Sequence, residues 1–300
     1  MIEKSLKSLK ALIPLVVSAL VLSGCNAALM DPSGPVGKEQ KSLILSSFWI
    51  MQIVVIPVII MTLVFAWRYR RNNRKATYSP NWAHSNRIEA VVWAVPAVII
   101  LFLGIITWQT SHSLDPHKPL GNKGEAMEIQ AISLDWKWMF IYPEQGIATV
   151  NELYFPVDRP VHFNVTSETV MNSFFIPRLG SQIYAMAGMD NDLFLEADKQ
   201  GVYIGKSAHY SGKGFSQMSF KTHVTSQEEF DNWVNKVRQT DRELAYTGSY
   251  QDVAKPSVNT PVEYFHPVES GLYERVITSF QSGHGQPENG QQPTGAEAAE

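Results

Sequence analysis

The chain of 300 residues is poor in cysteine and in charge. Its single cysteine, Cys25, excludes a disulfide framework, a zinc site built from thiolates and a redox pair within the chain. Charged residues make up only 18% of the chain. Its net charge of -3 gives no overall electrostatic attraction to nucleic acids. Hydrophobic residues make up 45%, which excludes a wholly disordered chain. Because the mean hydropathy is only -0.11, a membrane protein of this composition must concentrate its apolar residues in a few segments.

The first 25 residues have the features of an export signal. Lys4, Lys7 and Lys10 precede an apolar run over 11–22, as in a secretory signal. The run ends in Leu22-Ser23-Gly24-Cys25, which resembles the lipobox of bacterial lipoproteins. The resemblance implies a signal peptide over 1–24 and lipidation of Cys25, so that acyl chains hold the mature start on the periplasmic side of the membrane. The alternative is a cysteine buried in a core after a helical segment.

Two further apolar runs, 42–67 and 88–110, are long enough to cross a bilayer. At a rise of about 1.5 Å per residue, each spans a hydrocarbon core about 30 Å thick. The stretch 68–87 between them carries six Lys or Arg residues and no acidic residue. By the positive-inside rule this stretch is a cytoplasmic loop, so the segment 25–41 and the chain after 110 lie in the periplasm. Two buried helices of a soluble core are the alternative.

The composition of residues 125–225 predicts a β-sandwich. Short runs rich in β-branched and aromatic residues alternate with turn residues, and 127–132 and 161–166 show a clear period of two. About seven to nine such strands are typical of a Greek-key sandwich. Ser226 and Glu229 form a capping-box pattern that predicts a helix at the start of a helical region over 226–280. The tail 281–300, rich in Gly, Gln, Pro and Glu, is predicted to be disordered. The predicted fold class is therefore an α+β membrane protein.

Three motifs give the chain a family resemblance. They are Ile-Glu-Ala-Val-Val-Trp-Ala-Val-Pro over 88–96, Trp136-Lys137-Trp138, and the stretch 169–180 that contains Met-Asn-Ser-Phe-Phe-Ile-Pro. Together with two spans before a sandwich, they resemble subunit II of haem-copper respiratory oxidases. The resemblance covers almost all of 43–240 and implies a cupredoxin-like domain. It also implies that the partners are subunit I, further integral-membrane subunits and membrane lipid, with no nucleic acid, in the bacterial inner membrane.

In cytochrome c oxidases this subunit holds a dinuclear copper centre. The resemblance places six residues of this chain at the ligand positions: Asn172, Ser207, His209, Ser211, Phe215 and Met218. Two coppers that share electrons require bridging thiolates and imidazoles, whereas serine and asparagine oxygens are poor copper ligands and one thioether does not hold a metal alone. We therefore expect no metal or other cofactor in this chain. The chain resembles most closely the quinol-oxidising branch, the bo-type ubiquinol oxidases, in which haems, one copper and ubiquinol belong to subunit I.

Several other residues have a functional and a structural interpretation. The resemblance assigns Glu89, at the cytoplasmic start of the second span, to the entrance of a proton pathway; the alternative is an interfacial carboxylate paired with Arg87 or a headgroup. Trp136 and Trp138 match an aromatic patch for electron entry, but without copper we expect them to serve packing. Packing is also expected for four methionines: Met171, Met186, Met189 and Met218. His162 and His209 are expected to be hydrogen-bonded or to face solvent rather than to bind a metal.

These expectations combine into one function. The chain is expected to be a subunit without catalytic residues of its own in a proton-pumping ubiquinol:oxygen oxidoreductase, the terminal oxidase of an aerobic respiratory chain. It would brace subunit I and contribute to the proton-uptake entrance. Two alternatives stay open: a copper-bearing subunit II of a cytochrome c oxidase, and a periplasmic membrane-anchored binding or sensor lipoprotein.

Overall fold

The computed structural model describes residues 28–73, 75, 81–120 and 125–281. The helices are α1 (Pro35–Arg68), α2 (Asn86–Ser113), α3 (Gln227–Val237), α4 (Gln251–Ala254) and α5 (Leu272–Gln281). The strands are β1 (Met127–Leu134), β2 (Lys137–Tyr142), β3 (Ile147–Val150), β4 (Glu152–Pro156), β5 (Val161–Ser167), β6 (Asn172–Phe175), β7 (Gln182–Ala185), β8 (Asn191–Leu195), β9 (Gly201–Ser207), β10 (Ser219–Thr225) and β11 (Glu263–Phe265). One compact unit is Lys38–Asp115, and the other joins the described residues up to Gly37 to those from Pro116.

The helical unit consists of α1 and α2, which have 34 and 28 residues. At the helical rise they are about 51 and 42 Å long, more than a bilayer core requires. Their most apolar windows have a mean hydropathy of 2.5 and 2.6 and are not buried by the protein. The side chains of these windows are therefore free to face lipid or other membrane helices, as the two predicted spans require.

Two sheets form the sandwich. The first has the strand order β11-β3-β2-β1-β5-β8, and the second has the order β4-β10-β9-β6-β7. The pairs β1–β5 and β4–β10 are parallel and the other pairs are antiparallel. Parallel neighbours that are distant in sequence require crossover connections, which is the sandwich topology that the alternating pattern predicts.

The core between the sheets is aromatic. Trp138 and Phe140 of β2 pack against Phe174 of β6 and Phe220 of β10, with ring centroids 4.9 to 6.2 Å apart and mostly edge-to-face. All four side chains are almost fully buried. Rings from both sheets therefore interlock, and each contributes apolar burial together with a favourable ring geometry.

A second core lies on the outer face of the first sheet, where residues from 244 onward cover it. The sheet contributes Ile132, Leu134, Met139, Ile141, Ala148 and Val150, and the covering segment contributes Leu244, Tyr250, Phe265, Leu272, Tyr273 and Val276. Three tyrosine hydroxyls of this segment donate to carboxylates outside it: Tyr250 to Glu168 at 2.6 Å, Tyr264 to Glu152 at 2.5 Å and Tyr273 to Asp190 at 2.7 Å. We call residues 244–281 the C-terminal cover.

The described residues before α1 lie along the sandwich, and we call 31–37 the N-terminal strap. The amide of Ser33 donates to the carbonyl of Arg178 at 2.7 Å, and that of Gly37 donates to Leu179 at 2.9 Å. Arg178 pairs with Asp31 at 2.6 Å. Gly34 lies so close to the Glu196 carbonyl that a Cβ atom there would overlap it. The strap is therefore fixed on the sandwich by its backbone.

The predicted fold class is confirmed: two apolar helices precede a cupredoxin-like sandwich and a C-terminal helix. The capping box of Ser226 and Glu229 is present at the start of α3. The region after 226 also holds β11, a strand that the sequence analysis did not predict, and Gln281 ends α5 rather than starting a tail. The predicted signal peptide over 1–24, the predicted lipidation site Cys25 and residues 282–300 lie outside the described residues.

Candidate functional site

The six residues that the resemblance places at copper-ligand positions lie at one end of the second sheet. Asn172 begins β6, Ser207 ends the neighbouring strand β9, and the other four follow in the loop 208–218. Two backbone bonds close the loop: Ala208 N–H donates to Ser173 at 3.0 Å, and Ser207 N–H donates to Met218 at 3.1 Å. Backbone hydrogen bonds therefore close the loop, and its side chains determine its chemistry.

Those side chains bond to one another. The Ser207 hydroxyl donates to the Asn172 side-chain oxygen, and the Ser211 hydroxyl lies 3.9 Å from Met218 Sδ. Asn172, Ser207 and Met218 are 1%, 5% and 1% exposed, so their polar atoms are paired where water is scarce. Phe215 packs against Tyr210 and His209 against Tyr184, with ring centroids 5.6 and 6.1 Å apart.

This donor set does not fit copper. It offers two hydroxyls, an amide and a thioether where a dinuclear centre requires thiolates and imidazoles, and the imidazole of His209 packs against a tyrosine ring. Over the described parts of the chain, no three His, Cys, Asp or Glu residues are grouped closely enough to hold a metal ion. The loop is thus a closed hydrogen-bonded turn, and no reaction step can be derived from it.

The two tryptophans have separate packing roles. Trp138 is fully buried in the core. Trp136, with a positive φ of 64°, donates from its indole nitrogen to the Ser211 carbonyl at 3.0 Å. Its ring lies so close to Gly214 that only a residue without a Cβ atom fits there. Trp136 therefore holds the loop 208–218 in place, in agreement with the packing role expected from the sequence.

The remaining candidate methionines and histidines do not gather into a site. His162 pairs with Asp192 at 2.7 Å and stacks on Phe194 with a centroid distance of 4.3 Å. Met171 and Met189 are exposed, whereas Met218 is buried. His162 is paired and Met218 is packed, as their structural interpretation predicted, whereas Met171 and Met189 are exposed and do not have the packing role expected of them.

Glu89 has a local structural partner. It lies in the first turn of α2, and its Oε1 accepts a hydrogen bond of 3.2 Å from the amide of Ser85, the residue before the helix. Glu89 lies four residues after the N-cap, one position beyond the N3 residue of a capping box, and its carboxylate satisfies the N-cap amide. The structure therefore gives Glu89 a helix-capping contact, which the sequence analysis did not consider.

Buried ionisable groups outside the degenerate loop were not predicted. Glu152 accepts from Tyr264 and lies 3.4 Å from His223 Nε2, while burial lowers the pKa of His223 against the opposing effect of Glu152. Burial raises the pKa of Glu168, although the hydrogen bond from Tyr250 acts in the opposite direction. The abundance of tyrosine after residue 245 is the sequence signal that could have indicated such pairs. Each pair ties the C-terminal cover to the sandwich, so its role is structural.

Three segments of the chain match family models. Residues 23–110 match "Cytochrome C oxidase subunit II, transmembrane domain", and residues 144–225 match "Cytochrome C oxidase subunit II, periplasmic domain". Residues 238–284, which contain the C-terminal cover, match "COX Aromatic Rich Motif". The spans, the sandwich and the cover therefore each have a counterpart in the same family.

Whole-chain relatives agree with these matches. Cytochrome bo(3) ubiquinol oxidase subunit 2 of Pseudomonas aeruginosa is 55% identical over 263 residues, which is 88% of this chain and 79% of that protein. Ubiquinol oxidase subunit 2 of Acetobacter aceti is 53% identical over 268 residues, 89% of this chain and 87% of that protein. Quinol oxidase subunit 2 of Bacillus anthracis is 37% identical over 260 residues, 86% of this chain and 89% of that protein.

Proposed function

The chain belongs to the subunit II family of haem-copper oxidases, and from that premise we propose that it is the non-catalytic subunit II of a proton-pumping ubiquinol oxidase. The main support for the proposal is the closed loop 208–218 and the strand ends beside it. The Ser207 hydroxyl donates a hydrogen bond to the Asn172 side chain, and the Ser211 hydroxyl lies against the Met218 sulfur. When the electron donor is a quinol in the bilayer, a periplasmic copper centre has no donor from which to accept electrons. Haems, one copper and the quinol site then belong to subunit I.

The test is to purify the complex through this chain in mild detergent. Copper and haem contents are measured, and oxygen uptake is followed with a ubiquinol analogue and separately with reduced cytochrome c. The proposal expects the copper of subunit I only, and uptake with the quinol alone. Two additional coppers per chain together with cytochrome c activity would overturn it. A chain that is stable and carries no haem protein would instead indicate a sensor or binding lipoprotein.

The exposed apolar end of the sandwich supports subunit I as the partner. The loops on either side of the Asn172–Ser207 contact present Tyr210, Val170 and Met171, which are 72%, 52% and 38% exposed. Apolar side chains grouped at one end of a domain mark an interaction site. In this proposal the degenerate loop docks on subunit I and covers its haem region, while the apolar surfaces of α1 and α2 contact its membrane helices.

Glu89 is proposed to contribute to the proton-uptake entrance. Its carboxylate lies at the exposed start of α2, next to a loop whose basic residues assign it to the cytoplasm. Ionisable groups at the ends of membrane spans are functional candidates. The bond to Ser85 orients the side chain without enclosing it.

Lipidation of Cys25 is proposed to attach the mature N-terminus to the periplasmic leaflet of the inner membrane. The support is the sequence pattern that ends in Leu-Ser-Gly-Cys. The intact mass of the purified chain tests this directly, because lipidation removes residues 1–24 and adds acyl groups. A Cys25→Ser chain should keep its signal peptide, and an unmodified mature mass for the wild type would refute the proposal.

A further inference from the structure

The described residues cover the outer face of the second sheet only at its β4 edge, where Trp233 of α3 stacks on Tyr154 with a centroid distance of 4.3 Å. They leave the part of this face over β9 exposed. Alternation along β9 turns Val202, Ile204 and Lys206 to this face and Tyr203 to the core. Val202 and Ile204 are 59% and 56% exposed. The solvent face of an antiparallel sheet normally carries polar side chains. Two exposed aliphatic side chains side by side on an inner strand of the sheet therefore require an explanation.

The register shows what surrounds these two residues. Ile204 lies opposite Lys221 of β10, and Val202 lies opposite His223. Lys206 lies opposite Ser219 on one side and Phe175 on the other. The face therefore has an aliphatic centre with lysine ammonium groups beside it.

The acidic side chain on this face already has hydrogen-bonding and charged partners. Glu152 is the one acidic residue in the five described strands of this sheet, and it is only 9% exposed. Its carboxylate accepts from Tyr264 and lies beside His223. The charge that the sheet offers to a partner is thus positive, from Lys206 and Lys221.

Charge and composition exclude two simple occupants. A symmetric contact between two copies would use the same patch on both, which would bring the lysines of one copy towards those of the other. Residues 282–300 carry glutamates, but they contain no Val, Ile, Leu or aromatic residue to cover the aliphatic centre. The complementary surface is therefore aliphatic with carboxylates beside it.

We propose that the outer face of the second sheet, centred on Val202 and Ile204, docks a segment of another polypeptide in which aliphatic side chains are flanked by aspartate or glutamate. The aliphatic side chains cover Val202 and Ile204, and the carboxylates pair with Lys206 and Lys221. Rim charges of this kind set specificity and salt dependence, while the apolar centre supplies most of the buried area.

The test uses the full chain in its native membrane. A benzophenone amino acid replaces Val202, and a control chain carries it at Asn235, an exposed position on α3. Irradiation should give a protein adduct at 202 well above the control, and peptide mapping should locate it beside an acidic and aliphatic stretch. The double variant Lys206→Glu and Lys221→Glu should lower the yield about tenfold, whereas Lys206→Arg with Lys221→Arg should keep it.

Four outcomes would overturn the proposal. They are adducts to lipid only, adducts to a second copy or to this chain's own tail, a yield no higher than at Asn235, and a protein adduct unaffected by the charge reversal. Lys221 lies opposite Glu152 in the register, so the adduct yield of each variant is divided by the amount of chain found in the membrane. Because the adduct is identified without measuring oxidase activity, its result is separate from that of the proposed function.

Discussion

Glu89 combines a structural contact with a proposed chemical role, and substitution separates the two. Glutamine keeps an oxygen that can accept from the Ser85 amide but does not release a proton, whereas alanine loses both properties. If the proton-entry proposal holds, Glu89→Gln and Glu89→Ala both slow ubiquinol-driven oxygen uptake several-fold in the assembled complex. Normal uptake in Glu89→Gln with slow uptake in Glu89→Ala would assign the residue to helix capping alone.

The bond between Tyr250 and Glu168 gives a second prediction at this scale. Tyr250→Phe removes the donor and leaves a largely buried carboxylate without that partner, so the free energy of unfolding should fall by about 1 to 3 kcal/mol near pH 7. The same change in a Glu168→Gln background should cost less, since the remaining amide is uncharged. Thermal unfolding of the purified full-length chains measures both, and equal costs in the two backgrounds would contradict the coupling.

The pH dependence at Glu168 has a defined sign. Because burial raises its pKa in the folded chain, the folded state holds this proton more tightly than the unfolded state. The tighter binding of this proton stabilises the folded chain fully at a pH below the ordinary carboxyl pKa. This stabilisation is lost as the pH rises through the raised pKa of Glu168. Glutamine does not ionise, so the Glu168→Gln chain does not lose this stabilisation. The Tm of the variant minus that of the wild type should therefore become larger as the pH rises from about 4 to about 7. A constant difference would show that Glu168 does not titrate in this window.

Elements with a strong local signal could be predicted from the sequence, and those made by distant contacts could not. The capping box of α3 and the alternation of β1 and β5 depend on neighbouring residues. In contrast, β3, β6, β7 and β11 have only three or four residues each, and each depends on a partner strand for its stability.

The candidate site shows the same limit. The six positions that the family resemblance assigns to copper ligands could be picked out from the sequence alone, because they follow a spaced motif. It did not indicate that Ser207 would bond Asn172 or that Trp136 would hold Ser211, since these contacts join residues 35 and 75 positions apart. The tyrosine–carboxylate bonds of the C-terminal cover, which also depend on the folded arrangement, were missed for the same reason.

The N-terminal strap is an element whose stability depends on one glycine. Gly34→Ala places a Cβ atom against the Glu196 carbonyl, and a backbone atom has little freedom to move away. The amides of Ser33 and Gly37, which donate to Arg178 and Leu179, should then exchange with solvent at least about tenfold faster. Ser33→Ala is the matched control, because the bonds of Ser33 to the sandwich are made by its backbone. Unchanged exchange in Gly34→Ala would show that the strap tolerates the added atom.

At the scale of the whole molecule, the C-terminal cover completes the sandwich. Without it, the outer face of the first sheet would expose its apolar residues, which include Ile132, Met139 and Ile141. A sheet with a large exposed apolar face is prone to aggregation, and the carboxylates that receive the three tyrosine hydroxyls would also lose their donors. We therefore expect the folded domain to require the C-terminal cover.

Two truncations test this dependence. A chain that ends after Thr240 lacks the cover, and we expect its level in the membrane to fall at least about tenfold, because the exposed sheet face promotes degradation and aggregation. A chain that ends after Gln281 keeps every described residue of the cover and should accumulate as the full chain does. Quantitative immunoblots of membranes, with an epitope in the loop between α1 and α2, compare the three chains. Equal accumulation of the chain ending after Thr240 would mean that the sandwich folds without its cover, and the apolar face it exposes would then need another partner in the complex.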